Sequence, residues 1–216
     1  MMLNPYRKTS VVWTVIVSVV AASYGVAAEK QRVRFDFETG DLQGWELVEG
    51  DLDKLVCNRK YEFHHKVAYT KQGEYYLSTL ERAGSDRPDD SPTGIVESPV
   101  FVIRGPKATM RVGGGSHDTT YVALCTMDGK ERIRATGKNS QAMQRITWDT
   151  TPWVGKQAFL RVVDDHTGSW GHITFDDFAV QGHIDPEGTR TRVDARKTAA
   201  EAQRRRELEK AKAPLR

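Results

Sequence analysis

The sequence predicts an all-β, jelly-roll-like β-sandwich that is followed by a helical tail. Between residues 33 and 181, short segments alternate apolar with polar side chains and are rich in β-branched and aromatic residues. Turns such as Asp128-Gly129 and Thr167-Gly168 separate the segments, with no helical repeat of apolar residues between them. Half-buried strands at this spacing are typical of a sandwich or jelly roll. Galactose-binding-like and concanavalin-like topologies both fit the pattern.

Residues 1–28 have the composition of an export signal. Arg7 and Lys8 precede an almost wholly apolar run over 11–20, and residues 26–28 offer small side chains for a peptidase. The run is shorter than the roughly 20 residues that a membrane-spanning helix needs. The sequence therefore predicts a cleaved signal peptide and a secreted or periplasmic protein. The alternative is an uncleaved signal that anchors the chain in a membrane.

Eight segments with the strand pattern define a predicted sandwich domain over residues 31–182. These segments are 33–37, 76–80, 95–103, 108–112, 121–127, 145–149, 158–163 and 172–180. Asp128-Gly129 predicts a hairpin that leads into residues 131–135, because glycine accepts the positive φ that tight hairpin turns need. Pro99 cannot donate a hydrogen bond to a neighbouring strand, so it predicts a sheet edge or a bulge.

The last part of the chain, 183–216, is predicted to be a linker at 185–188 and then a basic tail that is helical or disordered. From Val193 onward the tail is rich in good helix formers, but it lacks a continuous apolar face. Residues 187–216 hold ten Lys or Arg against five Asp or Glu, whereas residues 29–186 hold 20 against 24. The mildly acidic domain argues against nucleic acid as a partner.

Four acids near the two ends of the β region predict a structural calcium ion. Glu38 and Asp41 follow the first strand, and Asp176 and Asp177 lie in the last one. The first and last strands of a jelly roll can lie side by side, which would bring these carboxylates together. Ca²⁺ prefers such oxygen ligands and would relieve the repulsion between them. The alternative is that the acids cap turns and face solvent.

A ligand site is predicted around Trp170, which follows the polar loop 164–169. An aromatic ring can stack on the C–H face of a sugar while nearby acids accept hydrogen bonds from its hydroxyl groups. The residues that we expect at this site are Trp170, Asp165, His166, His172 and Arg111, with His117 and Asp118 from the glycine-rich loop. The alternative is that Trp170 is packed beneath its own loop.

The sequence predicts a protein that is not an enzyme. Asp164-Asp165 is an adjacent pair of acids, so on a strand its two members point to opposite faces and cannot flank one bond. The histidines lack the spacing of a zinc site, and the sequence contains no Gly-x-Ser-x-Gly motif. We therefore predict no catalytic residues.

The two cysteines, Cys57 and Cys125, leave a disulfide and two free thiols as open alternatives. Export would permit a bridge, but the two Cβ atoms must approach closely for one to form. Cys125 lies in the alternating run 121–125, which is typical of a small buried residue.

Several segments together resemble a known family. They are 36–45, 94–101, 112–115, 120–124, 135–140, 148–149 and 163–173. Over residues 33–181 the chain is similar to the β-sandwich accessory domain of levanases and related fructan-hydrolysing enzymes, glycoside hydrolase family 32. The resemblance implies a jelly-roll module that works beside an enzyme and binds β-fructan or another glycan. The catalytic five-bladed propeller of those enzymes has no counterpart in this sequence, so hydrolysis is not implied.

We therefore expect a secreted, non-catalytic carbohydrate-binding module. Its expected partners are a glycan or cell-surface polysaccharide, and a separate carbohydrate-active enzyme or surface protein. The alternative is an extracellular structural or protein-interaction domain that docks through its basic tail. A free-standing glycoside hydrolase is a third hypothesis, which predicts turnover of fructan or sucrose.

Overall fold

A computed structural model describes residues 32–60 and 67–212 of the chain. The strands are β1 (Arg32–Phe35), β2 (Glu46–Gly50), β3 (Val56–Cys57), β4 (Tyr76–Ser78), β5 (Gly94–Glu97), β6 (Phe101–Gly114), β7 (Thr120–Thr126), β8 (Glu131–Ala135), β9 (Ser140–Asp149), β10 (Gln157–Asp164) and β11 (Ile173–Ile184). A 3₁₀ turn spans Thr151–Trp153, and helix α1 spans Pro186–Lys212. The predicted all-β domain with a C-terminal helix is confirmed. The signal peptide predicted over 1–28 lies outside the described residues.

All eleven strands belong to one antiparallel sheet that curls around a shared core. Its main order is β2-β5-β10-β6-β11-β4-β3, with β1 beside β11, β9 beside β6, and the β7–β8 hairpin beside β10. The long strand β6 pairs with β11 and β9, and its first residues Phe101 and Val102 pair with β10. β6 therefore joins the two layers of the sandwich.

The core lies between the inner faces of these layers and is centred on aromatic rings. Phe35 of β1 is the register partner of Phe178 of β11, and their rings stack at 5.9 Å. Trp45 packs edge-on against Phe35 at 5.4 Å, and Phe175 lies 5.4 Å from Trp45. The prediction that the first and last strands lie side by side is confirmed. Trp148 is likewise buried.

Most of the predicted strands and turns are present in the structure. β7 pairs with β8 through the predicted hairpin, and Gly129 has a φ of +78°. The segment around Pro99 is broken as expected, because β5 ends at Glu97 and β6 begins at Phe101. Strand β2 was not predicted, since its sequence, ELVEG, lacks alternation and is almost wholly exposed at the sheet edge.

The linker predicted at 185–188 is wrong, because residue 185 directly precedes α1 and residues 186–188 form its first turn. The Asp185 carboxylate accepts a hydrogen bond from the Gly188 amide at 2.9 Å, which caps the helix. The Thr189 hydroxyl accepts one from the Val100 amide at 2.9 Å. The helix is thus docked on the sheet from its first turn. No helix in the described ranges is long and apolar enough to span a membrane.

A buried ion cluster holds the next turns of the helix. Glu97 of β5 is 3% exposed and accepts hydrogen bonds from Arg161 of β10 and from Arg192 and Arg196 of α1. Burial alone would raise the pKa of the Glu97 carboxyl, but the hydrogen bonds from Arg192 and Arg161 outweigh it and lower the pKa. The Arg192 guanidinium also lies 4.3 Å above the Phe159 ring. Charge, rather than an apolar face, attaches this helix.

The two cysteines are free thiols in separate parts of the sandwich, so the disulfide that the sequence left open does not form in this structure. Cys57 packs with Tyr69 and Tyr76, whereas Cys125 faces the cluster around Phe159 on the other layer. Burial raises the pKa of Cys57 to about 11 and that of Cys125 to about 12. Both thiols are therefore protonated at neutral pH.

We expect Glu97→Gln to destabilise the domain, because it leaves the guanidinium groups of Arg161 and Arg192 poorly compensated in a buried site. Breaking one partner of a buried ion pair costs about 3 kcal/mol in free energy of unfolding, which chemical denaturation measures. Glu207→Gln is the matched control on the exposed part of the helix, with an expected change within about 0.5 kcal/mol. Equal effects of the two substitutions would contradict the anchoring role of Glu97.

Candidate functional site

Loops meet at the end of the sandwich where β10 ends and β11 begins. The Asp165 amide donates to the Thr119 carbonyl at 2.9 Å, which ties the loop after β10 to the loop after β6. The Gly115 amide donates to the His172 carbonyl at 2.8 Å and adds a second tie. These backbone bonds fix the relative positions of the loops that carry most of the predicted ligand residues.

Four rings from these loops form two stacked pairs, which we call the ring cluster: His117, His166, Trp170 and His172. The imidazoles of His117 and His166 stack at 3.6 Å with an interplanar angle of 17°. The indole of Trp170 stacks on the imidazole of His172 at 5.6 Å and 27°. The His117 ring nitrogen Nε2 also lies 3.1 Å from the Ser169 carbonyl oxygen. The structure thus brings four of the predicted ligand residues together.

Trp170 is held in an unusual backbone conformation. Its φ is +62°, in the left-handed region that bulky residues rarely adopt, and strain of this kind concentrates at functional sites. The Gly171 amide closes the turn by donating to the Gly168 carbonyl at 2.8 Å. A Cβ atom at Gly171 would lie 2.0 Å from the His166 carbonyl oxygen, so the turn requires glycine there. The loop therefore fixes the indole, which is half-buried and retains some solvent access.

His172 packs against the Trp170 ring and is shielded from solvent, since it is 3% exposed. Its Nδ1 lies 2.6 Å from the Asp90 carboxylate, and its Nε2 lies 3.2 Å from the side-chain nitrogen of Gln141. If the Gln141 amide donates, the imidazole proton sits on Nδ1 and is donated to Asp90. Neither Asp90 nor Gln141 was predicted, because both reach His172 from segments distant in sequence.

Of the three remaining predicted ligand residues, two lie at the edge of the ring cluster, which we call the rim, and one lies elsewhere. Asp165 and Asp118 have exposed side chains on the same two loops as the ring cluster. Arg111 lies apart from the ring cluster, inside β6. Its guanidinium donates to the Thr70 carbonyl at 2.9 Å and lies 3.8 Å from Asp177. The structure therefore gives Arg111 other partners than the ring cluster.

Asp164, the neighbour of the predicted Asp165, is buried beneath the rim. It is 1% exposed, and neither of its carboxylate oxygens makes a hydrogen bond of standard geometry to the described residues. Burial raises the pKa of Asp164 to about 7, although Thr79 and the His166 amide partly offset this. Asp165, the first residue after β10, is exposed, so the two adjacent acids have different environments.

Two of the acids predicted to bind calcium are held by one loop. Glu38 accepts hydrogen bonds from the amides of Glu74 at 2.9 Å and Tyr75 at 3.0 Å, and Asp176 accepts one from the Gln72 amide at 2.7 Å. Asp176 is fully buried, and burial raises its pKa to about 7, to which the negative charge of Glu38 contributes. A buried carboxylate near a second acid has the donor chemistry that suits a hard cation.

The other two acids have different partners. Asp41 caps a turn, and hydrogen bonds from the Gln43 amide and the Thr39 hydroxyl lower its pKa. Asp177 lies 3.5 Å from Arg34 and 3.8 Å from Arg111. Within the described residues, no group of three or more His, Cys, Asp or Glu is arranged to hold a metal ion. Calcium binding stays a prediction, now centred on Glu38 and Asp176.

Comparison with known proteins gives similarities of fold but assigns no family. No known family profile matches the chain. A stretch of 87 residues, 40% of the chain, is 29% identical to a putative glycosyl hydrolase, ecdE, from Aspergillus rugulosus, of which it covers 12%. The chain therefore spans about an eighth of the length of this curated relative. The resemblance to the levanase accessory domain stays a prediction.

Among solved structures, carbohydrate-binding and adhesin domains are similar to this chain. The module TmCBM61, solved with β-1,4-galactotriose, is 16% identical with a TM-score of 0.44, covering 68% of this chain and 94% of its own. The K1 adhesin domain of Lys-gingipain from Porphyromonas gingivalis W83 is 15% identical with a TM-score of 0.44, covering 70% and 98%. These alignments do not by themselves assign a function to this chain.

The raised pKa of Asp164 predicts that stability falls as pH rises between about 4 and 7. In this window the unfolded chain releases the proton that the folded protein still holds, so unfolding becomes more favourable by up to about 1.4 kcal/mol per pH unit. Asp164→Asn should reduce this slope, which denaturation at a series of pH values measures. Asp165→Asn, an exposed neighbour, is the control. Identical slopes in wild type and Asp164→Asn would refute the raised pKa.

Proposed function

We propose that this chain is a secreted, non-catalytic carbohydrate-binding module whose glycan-binding surface is the ring cluster with its rim. The observation that carries the proposal is the placement of Trp170. Its half-buried indole is fixed by a left-handed turn and stacked on the buried His172, beside the exposed carboxylates of Asp165 and Asp118. A rigid aromatic platform with acids at its edge is the composition that sugar sites use.

Each member of the surface has a role in this proposal. The indole of Trp170 stacks on the C–H face of a sugar ring, while Asp165 and Asp118 accept hydrogen bonds from sugar hydroxyl groups. The stacked imidazoles of His117 and His166 extend the platform. His172 is a positioning residue, since it is buried under the indole and held by Asp90. A preorganised surface loses little conformational entropy on binding.

The proposal includes a partner and a compartment. The similarity to part of a putative glycosyl hydrolase and the resemblance to a levanase accessory domain both support action beside a carbohydrate-active enzyme. β-Fructan is the glycan that the resemblance implies. The export signal expected over 1–28 supports secretion. Hydrolysis by this domain itself is not proposed, because Asp164 is buried and Asp165 is exposed, so the pair cannot act on one bond.

A second function, docking of another protein, is favoured by the outer part of α1. Residues 197–212 are exposed along their whole length and hold six Lys or Arg against three Glu. An exposed basic helix fits an acidic protein surface. Truncation after Arg196 keeps the contacts to Glu97. It should abolish capture of an acidic surface protein while leaving glycan binding unchanged. Unchanged capture would argue against this function.

We expect Trp170→Ala to weaken glycan binding by about tenfold, which is about 1.4 kcal/mol, because the stacking platform is lost. Affinity electrophoresis in gels containing levan, inulin or galactan measures the effect. Trp170→Phe should retain part of the retardation, and His183→Ala, on the exposed end of β11, should behave as wild type. Absence of retardation by every polysaccharide, with Trp170→Ala indistinguishable from wild type, would overturn the proposal.

We expect a chelator to lower the midpoint of thermal unfolding if calcium binds at Glu38 and Asp176, and added Ca²⁺ to restore it. A cation that binds only the folded state stabilises it in proportion to its occupancy. Asp176→Asn should remove this dependence, whereas Asp41→Asn, at a turn cap, should keep it. An unfolding midpoint that does not respond to the chelator would mean that backbone amides alone compensate the two carboxylates.

A further inference from the structure

A cleft of about 650 Å³ opens between the tip of the β7–β8 hairpin and the 3₁₀ turn. Its lining includes Thr126, Asp128, Arg132, Trp153, Lys156 and Gln157. The volume falls in the range of small-molecule sites, about 300–1,000 Å³. We propose that this cleft is a second saccharide site, and that it takes a sugar bearing a carboxylate, a uronate. The inference rests on the proposed glycan-binding function but concerns a separate surface.

The cleft lies at the opposite end of the sandwich from the ring cluster. It is lined by Gln157, the first residue of β10, whereas the loop that carries Trp170 follows Asp164, the last residue of that strand. Eight extended residues separate the two ends by about 23 Å. The two surfaces share no residue, so a substitution in one leaves the other intact.

One wall of the cleft presents a fixed indole. Trp153 is half-buried, because part of its ring packs against the main core while the side chain also lines the cleft. The Trp153 amide donates to the Thr150 carbonyl at 2.9 Å, and the Gly155 amide donates to the Ile103 carbonyl at 2.7 Å. These bonds hold the turn against β6. The indole therefore offers a stacking face with little freedom to lose on binding.

The facing wall is a hydrogen-bonded group in the hairpin. The Thr126 hydroxyl donates to Asp128 at 2.6 Å, and the Arg132 guanidinium donates to Thr126 at 2.8 Å and to Asp128 at 2.9 Å. These contacts use the Nε–H of Arg132 and one N–H of its Nη2. A guanidinium has five N–H donors, so others remain to face a ligand. Because these hydrogen bonds are made within the protein, the group is preorganised for a ligand.

The charge of the cleft favours an anion. Arg132 and Lys156 contribute two positive charges against the one negative charge of Asp128, which is already paired with Arg132. Within the described residues Lys156 has an exposed side chain and makes no ion pair. This excess stands out in a domain that is net acidic over 29–186. A guanidinium and an ammonium beside an indole match a sugar ring with a carboxylate.

The test is titration of the full chain with trigalacturonate, with neutral β-1,4-galactotriose as the matched probe. We expect trigalacturonate to shift the indole N–H signal of Trp153 in NMR and to bind more weakly as salt rises. Lys156→Glu should reduce its affinity at least about tenfold and leave the fold intact, because the Lys156 side chain is exposed. Lys197→Glu, on the exposed face of α1, is the control and should bind as wild type.

The outcomes separate this site from the ring cluster. The second site is supported if Trp170→Ala still binds trigalacturonate while Lys156→Glu and Trp153→Ala do not. This result would hold even if the ring cluster binds no glycan. Absence of trigalacturonate binding in wild type, or binding that Lys156→Glu leaves unchanged, overturns the inference. Loss of trigalacturonate binding in Trp170→Ala alone assigns the uronate to the ring cluster and also overturns it.

Discussion

The antiparallel pairing of β1 with β11 is the constraint on which the rest of the structure depends. It places Phe35 opposite Phe178 and stacks their rings within the aromatic core. Because β11 also pairs with β6, and β6 reaches β10, this pairing ties the first strand to the continuous sheet that forms both layers. Burial of these large rings contributes about 1.5–3 kcal/mol each. The loops at both ends are therefore carried by a single rigid support.

Most of the strand framework could be predicted because its signals are local. Alternation of side chains and the Asp128-Gly129 turn depend on neighbours in sequence, and the structure has strands and a hairpin where they indicated. The docking of α1 could not be predicted in this way. Its attachment depends on Glu97, which lies 95 residues before Arg192 in sequence. The helix shows no apolar stripe, so a search for amphipathic periodicity finds nothing there.

The candidate site shows the same division between local and distant information. The proximity of Trp170, His117 and His166 could be predicted because aromatic and polar residues are concentrated in two loops. Asp90 was missed because it belongs to an irregular segment and meets His172 only through the fold. The partners of Arg111 could not be predicted, because a sequence shows that it is charged but not which strand position it occupies relative to the loop.

Aspartates illustrate why residue type alone does not define a role here. Asp165 is exposed at the rim, whereas the adjacent Asp164 is buried and holds its proton to about pH 7. Asp41 caps a turn, and Asp176 is buried near Glu38. Asp164 and Asp165 are adjacent in sequence, but only one of them is accessible to solvent. A prediction from sequence identifies the acids, but the burial of each side chain determines which role it has.

The position of α1 explains why the candidate surfaces lie at the ends of the sandwich. The outer face of the β7–β10 layer carries Tyr121 and Phe159, which together would be an aromatic surface. The Arg192 guanidinium covers the Phe159 ring at 4.3 Å, and Arg134 lies 4.0 Å above Tyr121. This face is thereby closed by arginines that are themselves held by acids of the sheet. In an antiparallel sandwich the connections alternate between the two ends, so each end gathers loops that can be shaped independently. The ring cluster lies in the loops at one end, and the cleft lined by Trp153 lies in those at the other end.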